Sequence, residues 1–144
     1  MIDSRKEELD IPTIVSIALK ETDSGYPFEQ AYPAIIKELT LPECLLLRYG
    51  NTLYIIHRTD PRAGYFRALN ADTAENYLES GYRFVETAYD AGFDLLVTEF
   101  KGSSILNIFR TIAKNPPNEG MGFAVQKLKD DMYRVTLQLG TPRG

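Results

Sequence analysis

Between Asn70 and Lys114 the hydrophobic and polar positions fall into three consecutive elements with agreeing caps and breakers. Ala74, Leu78, Gly81, Val85 and Ala88 recur at steps of four and three, and Tyr77, Phe84 and Tyr89 widen the same stripe. Glu75, Glu79, Arg83 and Glu86 fall on the other side, so the period predicts an amphipathic helix. Asp72 and Glu75 have capping-box spacing at its start, and Gly92 is free to adopt the left-handed conformation past its last turn. Phe93 to Phe100, built around Leu95-Leu96-Val97, predicts a buried strand. After Lys101-Gly102-Ser103-Ser104, residues Ile105, Leu106, Phe109 and Ile112 share one face of a second helix, which Asn115-Pro116-Pro117 stops.

The flanks extend this pattern. Asp10 caps a helix with Ile11, Ile14, Val15, Ala18 and Leu19 on one face, ending by about Glu21. Thr22 to Tyr32 is expected to be a loop, with Pro33 opening a short helix through Leu39. Leu45 to Tyr49 and Leu53 to Arg58 flank the turn residues Gly50-Asn51, and Gly64 to Leu69 follows the Asp60-Pro61-Arg62 turn, which together predict three strands. Met121 to Leu128 and Met132 to Leu139 predict a closing hairpin across Lys129-Asp130-Asp131. In its second strand Tyr133, Val135, Leu137 and Leu139 alternate with polar residues, as a strand buried on one face requires. No repeat or linker interrupts the series, so residues 1–144 are expected to form one domain, with 1–10 and 141–144 loose.

Composition narrows the function classes. Twenty acidic against 16 basic residues give a net charge of −4, which offers no general attraction to nucleic acid or anionic membrane. The N-terminus is charged, and no apolar run approaches the ~20 residues that span a bilayer, so a cytoplasmic protein is expected. A single cysteine, Cys44, excludes an internal disulfide and is expected to be packing. With His57 the only histidine, no zinc-ligand spacing exists, and no metal is expected.

The order helix, helix, three strands, helix, strand, helix, two strands resembles the GNAT acyltransferase fold. That resemblance implies an α/β (α+β) domain with a mixed, mostly antiparallel central sheet of six to seven strands and about four helices. Gly102-Ser103-Ser104-Ile105-Leu106-Asn107-Ile108-Phe109-Arg110-Thr111-Ile112-Ala113 is similar to the family's stretch after its fifth strand, commonly N-x-A-A-x-x-L-Y-x-x-x-G-F. It also resembles the degenerate GNAT-like small proteins of T7-type bacteriophages. The family's N-terminal strand has no counterpart in Met1 to Asp10.

The same resemblance implies a pyrophosphate cradle where the strand before the long helix meets it, formed by a glycine-rich R/Q-x-x-G-x-G/A loop. Here Arg67 to Thr73 contains no glycine, and Asp72 is expected to cover the first-turn N–H groups itself. A carboxylate there repels a phosphate by about 4 kcal/mol at roughly 4 Å in an effective dielectric of about 20. Asn70, Ala71 and Thr73 are the remaining candidates for cofactor contact. The family's proton-donating tyrosine aligns with Phe109, its asparagine with Gly102, and its late helix glycine with Ala113. Glu99 and His57 are the candidate bases, each weighed against a bland alternative: a solvated strand-end carboxylate and a sheet-edge histidine. Ser103-Ser104 fits a helix cap, and Tyr26, Phe28 and Tyr32 fit loop anchoring or a contact surface.

These departures lead to the expectation of a non-catalytic, cofactor-free phage protein that contacts other phage or host proteins in virion assembly or as a virion component. The alternative is an acetyl-CoA-dependent N-acetyltransferase. A host-directed inhibitor is a third possibility.

Overall fold

The computed structural model describes residues 8–21 and 27–143. Its helices are α1 (Ile11–Glu21), α2 (Phe28–Leu39), α3 (Ala74–Asp90) and α4 (Ser104–Lys114). The strands are β1 (Cys44–Tyr49), β2 (Thr52–Asp60), β3 (Ala63–Asn70), β4 (Leu95–Lys101), β5 (Gly122–Lys127) and β6 (Met132–Gln138). They form one mixed sheet in the order β1-β2-β3-β4-β6-β5, parallel between β3 and β4 and antiparallel elsewhere. This is the α/β class expected from the element order.

Alternation along β2 divides the interior into two cores, because successive side chains leave opposite faces of a strand. Leu53 and Ile55 join Ile14, Val15 and Ile35 under α1 and α2. Tyr54 and Ile56 join Phe84, Val85, Leu106 and Ile112 under α3 and α4. The hydrophobic stripes read along the helices are the surfaces that meet these two faces.

Local chemistry explains most boundaries. The Thr13 N–H donates to Asp10 Oδ1 at 2.9 Å, so the expected cap of α1 is present. At the β1–β2 turn Gly50 has φ +58°, and a Cβ there would lie 2.9 Å from the Asp72 carboxylate. Asp130 and Asp131 take φ 54° and 63° in the last hairpin, a conformation that short polar side chains tolerate better than most.

Three expectations change. Helix α2 starts at Phe28, which places Pro33 inside it. The proline has no N–H for the Glu29 carbonyl, but both residues lie on the exposed side, where that loss costs least. Phe28 and Tyr32 stack at 5.1 Å against the α1–α2 core, so these aromatics anchor the helix; Tyr26 lies outside the described residues. Strand β4 starts at Leu95, because Asp94 pairs outside the ladder: its N–H donates to the Arg62 carbonyl and its carbonyl accepts from Leu139. The C-terminal segment expected to be loose is tied down through Arg143, whose amide donates to Asp94 Oδ2 at 3.2 Å and whose guanidinium lies 3.9 Å above the Tyr89 ring. Among the described residues no helix is long and apolar enough to cross a membrane.

Candidate functional site

Strands β3 and β4 pair only at Ala63–Leu95, Gly64–Leu96 and Tyr65–Val97. Beyond those positions β3 keeps its ladder with β2 to Asn70 and β4 keeps its ladder with β6 to Lys101, so the two strands diverge. A cavity of about 800 Å³ occupies the divergence. Phe66, Arg67, Ala68 and Leu69 form one wall and Thr98, Glu99, Phe100 and Lys101 the other. Gln30, Ala31, Ala34 and Glu38 of α2 close it on one side of the sheet, and Tyr77 of α3 with Ser104, Ile105 and Phe109 of α4 close it on the other. Where the ladder ends, the facing edges of β3 and β4 lose their ladder partners, and the Glu99 N–H turns to the Tyr65 hydroxyl.

The polar side chains of the cavity are unevenly distributed. Arg67 pairs with Glu38 across the β3–α2 gap. Glu99 lies 3.5 Å from Arg134 on β6. Tyr65, on the same sheet face, has its phenol raised above the ordinary value by burial and by the Glu99 charge. On the opposite side burial pushes the Tyr77 phenol up to about 12, so it stays protonated at neutral pH.

The junction entering α3 differs from the expected one. Thr73, not Asp72, caps the helix, with Asn76 N–H donating to Thr73 Oγ1 at 3.2 Å. Asp72 instead accepts the Asn51 N–H at 2.7 Å. Its carboxylate therefore does not cover the first-turn amides, and the charge argument against a phosphate loses its geometric premise. Asn70 and Ala71 are committed to the fold: Asn70 Oδ1 accepts from Thr52 Oγ1 and from Asp72 N–H, while the buried Ala71 donates its N–H to the Asn51 carbonyl. None of Asn70, Ala71 and Thr73 lines the cavity.

Of the two candidate bases, the cavity holds Glu99 and excludes His57. His57 faces Cys44, with Nδ1 3.5 Å from Sγ, and its Nε2 lies 3.7 Å from the Glu43 carboxylate. Ser103 holds the N-cap position of α4 but makes no capping bond through its side chain, and Ser104 lines the cavity. Tyr77 is the site residue that pattern reading missed. Its place on the apolar stripe of α3 marked it as core, and only the divergence of β3 from β4 turns part of that stripe toward a cavity.

No protein-family model matches the sequence, and no curated protein sequence matches it. Solved structures do. The Campylobacter jejuni N-acetyltransferase PseH matches with a TM-score of 0.58 at 13% identity, over 91% of this chain and 92% of that one. The same enzyme in complex with acetyl coenzyme A matches at 0.56 and 12% identity, over 91% and 93%. An aminoglycoside 6'-acetyltransferase type Ii matches at 0.59 and 11% identity over the full length of both chains. These neighbours are acetyltransferases, one with its coenzyme bound, which speaks against the expectation of a non-catalytic phage protein; nothing in them carries the phage resemblance. Divergent sheet, helical layers and neighbours agree that this chain has a GNAT-like N-acetyltransferase fold.

Proposed function

We propose that this protein is an N-acetyltransferase that takes acetyl-CoA as donor and an amine as acceptor. The observation that carries the reading is the parting of β3 from β4 after Tyr65 and Val97, around a cavity walled by both strands. A coenzyme supplies the activated acyl thioester. Its pantetheine amides fit strand edges whose bonding groups lack a ladder partner, and Thr73 rather than a charged residue supplies the cap of the adjoining α3.

Within the cavity Glu99 is the base candidate, held toward Arg134 and available to take a proton from an incoming ammonium group. Tyr77 is the candidate for the donor role that Phe109 cannot fill, since it carries a phenolic proton and lines the same cavity. Lys101 supplies positive charge on the β4 wall, while Arg67 on the β3 wall is paired with Glu38.

Calorimetric titration with acetyl-CoA, followed by thiol release over a panel of polyamine, aminoglycoside and peptide amines, tests the reading. Saturable micromolar binding that Ala68→Trp abolishes is the expected result. No heat at millimolar coenzyme eliminates the proposal.

A further inference from the structure

At the α2 rim of the cavity, where Glu38 is shared with its wall, a cluster carries chemistry that acyl transfer does not use. Glu38 in the last turn of α2, Cys44 at the start of β1 and His57 on β2 each offer a ligand atom, and these atoms lie within 4.8 Å of one another. Cys44 and His57 are direct partners in the β1–β2 register, so the sheet fixes their separation. We propose that Glu38, Cys44 and His57 form a binding site for a borderline-soft divalent transition ion, zinc foremost, with a fourth position left to solvent.

The spacing of the ligand atoms fits this assignment. A tetrahedral zinc at about 2.3 Å from sulfur and about 2.0 Å from nitrogen separates those two atoms by roughly 3.5 Å. The Cys44 Sγ to His57 Nδ1 distance is 3.5 Å, so both ligands already stand on one edge of such a tetrahedron. The other ring nitrogen of His57 faces Glu43 at 3.7 Å, the carboxylate–histidine arrangement that orients a metal-bound imidazole. Glu38 accepts from Arg67 through Oε2, which anchors the carboxylate beside Cys44 and His57. Mixed thiolate, imidazole and carboxylate donors favour zinc or cobalt and disfavour magnesium and calcium.

The environment also argues against a nucleophilic cysteine. Burial, then Glu38 and Glu43, raise the Cys44 thiol above its ordinary value, with Arg67 opposing them weakly. A nucleophile needs the reverse. A dication benefits from the same two carboxylates, and on binding it displaces the thiol proton to buffer, so affinity must rise with pH.

The test is a titration of the metal-free, full-length protein with cobalt(II), read as a thiolate-to-cobalt charge-transfer band, and with zinc by calorimetry. The expected result is one saturable site per chain, with zinc displacing cobalt and millimolar magnesium failing to do so. Cys44→Ser must abolish the charge-transfer band, His57→Gln must weaken zinc binding at least about tenfold, and Glu43→Gln must weaken it about 10- to 100-fold. Circular dichroism of each metal-free variant, matched to the wild type, separates lost ligation from lost folding. The proposal is overturned if cobalt gives no charge-transfer band, if the band survives Cys44→Ser, or if magnesium competes equally.

Discussion

Asp72 accepts the backbone N–H of Asn51 at 2.7 Å, joining the β1–β2 turn to the junction between β3 and α3. Two chain segments that each carry a turn are thereby held by one charge-assisted bond. Gly50 completes the contact, since any side chain there would meet the same carboxylate.

Removing that carboxylate therefore affects stability and spares the cavity. Asp72→Ala is expected to lower unfolding free energy by about 2 kcal/mol, the usual scale for a hydrogen bond to a charged acceptor. Urea denaturation measures it. Affinity for acetyl-CoA should stay within about twofold, and a tenfold gain would restore the idea that Asp72 guards the helix amides.

Alkali should destabilise the protein through Tyr54. This phenol is 3% exposed, stacks on Phe84 at 4.2 Å and bonds Ser80 at 2.8 Å, and burial pushes its titration far above the ordinary value of 10. A group whose folded-state value is raised stabilises fully below its unfolded value and loses that contribution as pH climbs past it. Stability owed to Tyr54 should thus be constant below about pH 10 and fall above it, by as much as about 1.4 kcal/mol per pH unit. Tyr54→Phe should cost about 1 kcal/mol at pH 7 and flatten the alkaline limb, as thermal melts between pH 8 and 11 will report.

Neighbouring leucines on β4 separate face from position. Leu96 is fully buried while Leu95 is 42% exposed. Leu96→Ala should cost about 2–5 kcal/mol, and Leu95→Ala less than about 0.5 kcal/mol. Equal denaturation midpoints for the two variants would contradict the sheet's facing.

Glycines offer a second paired comparison. A Cβ at Gly64 would sit 2.8 Å from the His57 carbonyl, whereas one at Gly122 meets nothing within 4 Å. Gly64→Ala should lose about 1–3 kcal/mol because backbone cannot step aside, and Gly122→Ala should be neutral or slightly stabilising. Calorimetric melting temperatures distinguish them.

Much of the fold could be read from periodicity because its signals are local. The stripe of α3, the Asp10 cap, the Gly50-Asn51 turn and the alternation of β6 all specify their elements within a few residues. What escaped depends on contacts between distant segments. Pro33 looked like a helix start, yet Phe28 and Tyr32 gain enough from the α1–α2 core to extend α2 past it. Asp72 has ideal capping spacing, but the Asn51 amide, 21 residues away in sequence, competes for its carboxylate. The site was less legible than the fold. Glu99 could be named as a strand-end acid, whereas the cavity arises from the point at which β3 and β4 cease pairing, which no local pattern encodes. A lone histidine and a lone cysteine carry no metal-ligand spacing either; only strand register sets His57 opposite Cys44.

The two cores on opposite faces of the sheet are unequal, the α3–α4 side holding most of the buried aromatic mass. Hydrogen exchange should then occur in two tiers, with α1 and α2 amides exchanging through a partial opening while the amides of β4 and β6 wait for global unfolding. Because α2 also walls the cavity, the weaker tier is the one that can breathe to open it without disturbing the strands on its other walls.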